Sequence, residues 1–198
     1  MFEIMTVCTG NICRSPLAEV LLRARLADLD VRVHSAGTQG LDAAPMTSEA
    51  QRLAVEFGAR VEDAGDHRSR FLTERDLVSP DLILALSREH RRRIIDMAPA
   101  RMRRTFTARE FARLAVELSD AEIRDAATEG GDDQPARLRA AVAAVAGLRG
   151  MIPPPADAAD DDVIDPYRRS WETYQLSASQ LLPGVDQVVR VLGLAAAR

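Results

Sequence analysis

The sequence predicts an α/β fold: a doubly wound, four-stranded parallel sheet. Three observations carry this. Short apolar runs alternate with amphipathic helical stretches through the first half of the 198 residues, the pattern of βαβ units. The run Leu82-Ile83-Leu84-Ala85-Leu86 is apolar throughout, as required of a strand covered on both faces. The first apolar run leads straight into a glycine-containing loop and a helix start, the arrangement that puts a ligand site at the carboxyl edge of an open sheet.

Taken in order, Phe2 to Val7 forms the first strand and ends at Cys8. Ser15 and Pro16 mark a helix start, with serine as N-cap and proline in the first turn. Leu17, Val20, Leu21, Ala24 and Ala27 extend that helix to about Leu29. Val31 to Ala36 is a second strand closed by Gly37. Thr47 or Ser48 caps a helix bearing Ala50, Leu53, Ala54 and Phe57 on one face, stopped by Gly58. Thr73 to Asp76 is a short helical turn, Leu82 to Leu86 the third strand, and Ser87 the cap of a helix ending before Pro99. Arg104-Thr105-Phe106 is a short last strand. Thr107 and Glu110 form a capping box ahead of Phe111, Leu114 and Leu118. Beyond Ser119 the composition shifts. Gly130 to Asp133 reads as a linker, Ala136 to Leu148 as an alanine-rich helix, and Pro153 to Asp162 as a proline-rich then acidic stretch. A terminal helix from about Ser170 to Leu194 is expected to be kinked or broken at Pro183. The whole chain, 1–198, reads as a single domain.

Composition narrows the function. With 46% hydrophobic and 28% charged residues, the chain has the balance of a soluble protein. No run approaches the ~18 apolar residues of a membrane span, and Met1 opens on a strand without a basic leader. Membrane insertion is not expected, and the cytoplasm is the expected address. The net charge of −4 argues against general affinity for nucleic acid or anionic membrane. All 26 basic residues are arginine; the runs Arg91 to Arg93 and Arg101 to Arg104 read as a solvated helix face and a strand edge. Only Cys8 and Cys13 carry thiols, too few for a zinc site or a disulfide framework. Neither metal nor cofactor is called for. What remains is a paired reactive site.

That site is Cys8-Thr9-Gly10-Asn11-Ile12-Cys13-Arg14-Ser15. It joins the first strand to the N-terminus of the first helix, where free N–H groups and the helix dipole favour an anion and a cysteine thiolate. Five residues separate Cys8 from Arg14, enough for the loop to curl around a tetrahedral phosphate. Its amides and a bidentate guanidinium would be the donors. Gly10 and Asn11 tolerate the left-handed backbone such a cradle needs. The ending of a Walker loop is absent.

The stretch Val7 to Pro16 resembles the signature of the low-molecular-weight protein tyrosine phosphatases. Further matches follow in the family's order: Ser35-Ala36-Gly37-Thr38, His67-Arg68-Ser69-Arg70 and Asp165-Pro166-Tyr167. The likeness covers roughly residues 1–97 and 165 onward. It implies a phosphotyrosine-protein substrate and a two-step mechanism through a phosphocysteine on Cys8. Arg14 and the amides from Thr9 to Arg14 would hold the phosphoryl oxygens. Ser15 would support the thiolate, Asn11 the loop backbone, and His67 the network behind it. Asp165 would serve as general acid and then base, although Asp160, Asp161 and Asp162 stand close by. Tyr167, and more weakly Leu41, would form walls for an aromatic ring.

Two departures stand out. The Met-Asp pair and Asn common after the third strand of relatives read here as Leu86-Ser87 and His90. The segment from about 113 to 162 is longer than in familiar members, and reads as a helical insertion before the general-acid loop.

Three rival readings remain. An arsenate reductase needs resolving cysteines, and none follows Cys13; a glutaredoxin-linked variant would escape that objection. A protein-arginine phosphatase of the same family typically carries Thr where Ile12 stands. An inactive phosphate-binding relative would have lost Cys8, Arg14 or Asp165, and all three are present. A low-pKa Cys8 beside Cys13 further implies reversible oxidation to a disulfide.

Overall fold

The computed structural model describes residues 1–40 and 42–197. Its sheet has strands β1 (Phe2–Cys8), β2 (Val31–Gly37), β3 (Leu82–Ala85) and β4 (Thr105–Thr107), all parallel, in the order β2-β1-β3-β4. The chain winds from β1 outward to β2, then returns to add β3 and β4 on the other side. The topology is therefore doubly wound, with the switch point beside β1. The loop after Cys8 lies at that switch point, where an open sheet leaves a crevice.

Strand alternation divides the core in two. Phe2, Ile4 and Cys8 of β1, with Leu82 and Leu84 of β3, face one apolar cluster; Met5, Val7, Ile83 and Ala85 face the other. The first cluster is the larger. It is covered by α1 (Arg14–Arg25), α2 (Ser48–Glu56), α5 (Ala108–Ala115), α6 (Asp120–Glu129), α7 (Gln134–Gly147) and α8 (Trp171–Ala196). The second lies under α4 (Arg88–Met97) and the 3-10 turn Glu74–Leu77, through Ile94 and Leu77. Leu82 to Leu86 is buried throughout, which accounts for its continuous apolar run.

The capping signals hold at several starts. Thr47 accepts from Ala50 N, Ser87 from His90 N, and Thr107 with Glu110 forms the reciprocal box of α5. Some expectations are corrected and some elements added. α1 begins at Arg14 with Cys13 as N-cap, because the Ser15 hydroxyl is engaged by Cys8 and Asn11. It also ends at Arg25 rather than near Leu29, where the backbone turns back from Leu29 N to Leu26 O. A further short helix, α3 (Val61–Asp66), precedes His67. α6, started by a capping box of Ser119 and Glu122, lies in the stretch 113–162 expected to be helical, though the sequence reading names no helix between Leu118 and Ala136.

The terminal helix continues without a break through Pro183. Its apolar stripe, including Leu181, Val185, Val188 and Leu192, is buried against α1, α5, α6 and α7. Packing along this length offsets the ~3 kcal/mol that a mid-helix proline costs. Among the described residues, no helix is long and apolar enough to cross a membrane.

Gly184 of α8 packs directly against Ala108 of α5. A Cβ there would stand 2.7 Å from the Ala108 carbonyl oxygen and 3.0 Å from its Cβ. Gly193, on the same helix, would meet nothing within 4 Å. Gly184→Ala should therefore destabilise the fold by about 1–2 kcal/mol despite better helix propensity. Gly193→Ala should stabilise it by about 0.5–1 kcal/mol. Urea midpoints at unchanged m-value would check both; equal shifts of one sign would refute the close packing.

Candidate active site

The loop after β1 is held from beneath by one side chain. Asn11 is fully buried with φ of +55°, the left-handed region that asparagine enters more readily than most residues. Its Nδ2 donates to Ser15 Oγ (2.9 Å) and Ser35 Oγ (2.7 Å), and its Oδ1 accepts from Arg70 N (3.0 Å). Its backbone carbonyl accepts from His67 Nε2 at 2.8 Å. His67 Nδ1 faces Glu19 Oε2 at 3.6 Å, and Ser35 Oγ donates to the same carboxylate oxygen at 2.5 Å. Burial alone would raise the Glu19 pKa, but bonds from His67 and Ser35 more than reverse this and hold it below the usual carboxylate range. Ser15, Asn11 and His67 are thus brought together where the sequence suggested. Glu19, Ser35 and Arg70 complete the frame.

The second strand supports the loop from the side. Thr38 N donates to Cys8 O and Gln39 N to Thr9 O, both at 2.9 Å. Gly37 is needed for this approach, because a Cβ there would stand 2.6 Å from the Thr9 carbonyl oxygen.

On the upper side of this frame, Cys8 Sγ lies 3.0 Å from Ser15 Oγ and accepts from Asn11 N at 3.3 Å. Arg14 is buried. Its Nη1 donates to Val163 O (3.0 Å), while Nη2 donates to Thr9 Oγ1 (3.3 Å) and pairs with Asp165 Oδ2 (2.8 Å). Its Nε is buried and has no hydrogen-bond acceptor. Thr9 Oγ1 also meets His90 Nε2 at 2.9 Å, and His90 Nδ1 meets Ser87 Oγ at 2.9 Å. Burial and then the Arg14 charge push the His90 pKa down to about 3, so this imidazole stays neutral at physiological pH.

A cleft of about 360 Å³ opens over these groups, lined by Cys8, Thr9, Gly10, Ile12, Cys13 and Arg14 on one side and by Asp165 and Tyr167 on another, with Gln39, Gly40 and Arg168 at its rim. Asn11 is not on its wall; its side chain is turned under the loop. Tyr167 is 40% exposed, its N–H donates to Asp165 Oδ1 (3.2 Å), and the Arg168 guanidinium lies 5.1 Å from its ring centroid. Leu41, the other expected wall, lies outside the described residues. The three neighbouring aspartates point elsewhere: Asp162 pairs with Arg88, Asp161 with Arg113 and Asp160 with Arg109. Both cysteines are free thiols. Cys13 packs under the loop against Thr47 Oγ1 (3.5 Å) and Tyr174 OH (3.6 Å), and burial pushes its thiol up to about 11.

The family model for low molecular weight phosphotyrosine protein phosphatases matches residues 3–148. The chain belongs to this family. Like other members it carries the cysteine-to-arginine loop after its first strand. It is 44% identical over 97 residues to the low molecular weight protein-tyrosine-phosphatase Etp of Escherichia coli (strain K12), a match covering 49% of this chain and 62% of that protein. It is 38% identical over 111 residues to a protein-arginine-phosphatase of Bacillus subtilis (strain 168), covering 55% and 71% respectively. Among solved structures, the low molecular weight protein tyrosine phosphatase of T. tengcongensis superposes with a TM-score of 0.64 at 29% identity, over 96% of this chain and 98% of that one.

Sequence reasoning missed Glu19, Arg70 and His90. Glu19 had a signal: it is a carboxylate among the buried positions of α1. Arg70, quoted only within the His67 to Arg70 match, acts through its backbone N–H, and His90, noted only as a departure, approaches Thr9 from 81 residues away; the motifs did not reveal either contact.

The Asn11 frame is directly testable. Asn11→Gly keeps the backbone angle but removes three side-chain hydrogen bonds. It should destabilise the protein by about 2–4 kcal/mol. Asn11→Ala should cost about 1 kcal/mol more, the penalty of a left-handed alanine. Chemical denaturation of both variants measures the difference, and an Asn11→Ala protein no less stable than Asn11→Gly would contradict it.

Proposed function

We propose that this protein is a protein-tyrosine phosphatase working through a phosphocysteine on Cys8. One observation carries the reading: Cys8, Arg14 and Asp165 line one cleft, with the Arg14 guanidinium 2.8 Å from the Asp165 carboxylate. Thiolate nucleophile, oxyanion clamp and proton donor are the three groups that phosphate-ester hydrolysis by this route requires.

A phosphotyrosine entering the cleft brings a dianion that competes with Asp165 for Arg14. Arg14 and the loop amides take its oxygens, which releases the Asp165 carboxyl toward the leaving group. Cys8 Sγ attacks phosphorus while the P–O bond to the ring breaks, and Asp165 gives its proton to the departing phenolate. In the second step the Asp165 carboxylate takes a proton from water as the water oxygen attacks phosphorus. The S–P bond breaks, releasing inorganic phosphate, and the Ser15 hydroxyl supports the returning thiolate.

Thr9, Gly10 and Ile12 form the floor around the phosphate, and Tyr167 stacks on the substrate ring. His67 and Asn11 keep the cradle in shape. The pair α6 and α7 is an addition to this catalytic core with a structural role.

The test separates nucleophile from acid. Cys8→Ser should abolish turnover while retaining vanadate binding. Asp165→Asn should lower kcat/KM on phenyl phosphate by about 10²–10³-fold but on 4-nitrophenyl phosphate far less, because a stable phenolate leaves without a proton. Undiminished turnover in Cys8→Ser would sink the mechanism.

The arginine-phosphatase reading is the main rival, since more than one relative bears that name. Ile12 weighs against it. The side chain is 6% exposed and lines the cleft, where an apolar wall suits an aromatic ring and leaves a guanidinium donor unpaired at about 1–3 kcal/mol. Phosphotyrosine peptides should therefore be hydrolysed faster than phosphoarginine peptides, and Ile12→Thr should shift the ratio toward phosphoarginine by about tenfold. Faster phosphoarginine hydrolysis by the wild type would favour the rival.

A further inference from the structure

The loop bearing Asp165 has little apolar anchorage. From Met151 to Ser170 the only buried residues are Val163 and Pro166. The restraint it does have is polar and comes in series. Arg88, at the start of α4, holds both oxygens of Asp162, with Nη2 to Oδ2 at 2.9 Å and Nε at 3.2–3.3 Å, and its backbone N donates to Oδ1 at 2.6 Å. Arg113 of α5 donates to Asp161 Oδ2 at 3.2 Å and, through Nη1, to Pro153 O at 3.0 Å. Arg109, one turn earlier on the same helix, donates to Asp162 O at 3.1 Å and faces Asp160 Oδ1 at 3.7 Å. Val163 N then donates to Leu86 O (3.0 Å), Val163 O accepts from Arg14, and Ile164 N donates to Gln180 Oε1 (2.8 Å).

We propose that Arg88, Arg109 and Arg113 are positioning residues for the general acid: they clamp the Asp160-Asp161-Asp162 run so that Asp165 is held over the phosphate cradle. This rests on the reading of Asp165 given above. Each pair is partly exposed and by itself contributes little to stability. Gripping three successive residues from two helices is a different matter. It fixes the path of the backbone three residues before Asp165, where a displacement on the order of 1 Å is enough to impair proton transfer.

The experiment reads the leaving-group dependence. Arg109→Met with Arg113→Met keeps the apolar stems and should lower kcat/KM on phenyl phosphate about tenfold, while kcat/KM on 4-nitrophenyl phosphate changes less than about twofold. Vanadate inhibition should stay at its wild-type level. In an Asp165→Asn background the same two substitutions should cost nothing further. Equal losses on both substrates, or a loss undiminished in that background, overturn the clamp while leaving Asp165 as the acid. If Asp165→Asn alone lowers kcat/KM equally on both substrates, the general-acid reading fails and the clamp's catalytic role with it. A charge exchange guards against a folding artefact: Arg113→Asp combined with Asp161→Arg should recover most of the phenyl phosphate activity lost in Arg113→Asp, and no recovery overturns the proposal.

Discussion

The buried guanidinium of Arg14 is the constraint around which the site is organised. A cation 5% exposed must be paired and hydrogen-bonded, because an uncompensated buried charge is severely costly. Its partners come from different parts of the chain: Thr9 in its own loop, and Val163 and Asp165 in the C-terminal connection. Thr9 is in turn tied to His90 on α4, and Val163 to Leu86 at the end of β3. Satisfying one side chain thus draws the β1–α1 loop, the β3–α4 junction and the acidic loop to a single point. The neutrality of His90 follows from the same arrangement, since a second cation beside Arg14 would be opposed by repulsion as well as burial.

Beneath that point the loop rests on a second buried charge of opposite sign. Glu19 projects from α1 toward β2, accepts from Ser35 and faces His67. Ser35 and His67 each then touch Asn11, one at the side chain and one at the backbone carbonyl. The left-handed turn at Asn11 is therefore over-determined by its surroundings, the condition under which an unfavourable backbone angle persists. Gly37 belongs to the same construction, as only a residue without Cβ lets β2 lie against the loop.

What the sequence made legible was what local chemistry decides. β1, its loop and α1 could be read because an apolar strand, left-handed-tolerant residues and a Ser-Pro pair are adjacent. A helix start with a capping box was readable for the same reason at Thr107, while the equivalent box of Ser119 and Glu122 was passed over. Pro183 misled in the opposite direction: its local cost is real, but the stripe buried along α8 outweighs it. Long-range pairings were invisible. Spacing alone could not say why Asp165, rather than Asp160, Asp161 or Asp162, should meet Arg14. That distinction comes from Arg88, Arg109 and Arg113, which occupy the other three and lie on helices whose placement depends on the whole fold.

The two sides of the cleft consequently rest on different physics. The cradle is fixed by buried, mostly neutral hydrogen bonds among Asn11, Ser15 and Ser35, which ionic strength hardly reaches. The opposing loop depends on ion pairs such as Arg88 with Asp162, whose side chains are 49% and 29% exposed and so subject to screening over a Debye length of about 8–10 Å. Burial would raise the Asp162 pKa, but the side-chain and backbone bonds from Arg88 more than compensate and hold it low, so the pair persists across the neutral range and weakens only when acid protonates the carboxylate. A rigid anion site facing a loop held by screenable charges can keep its affinity for phosphate while the placement of its acid varies. Binding and proton delivery are in that sense separately adjustable, although both meet at Arg14.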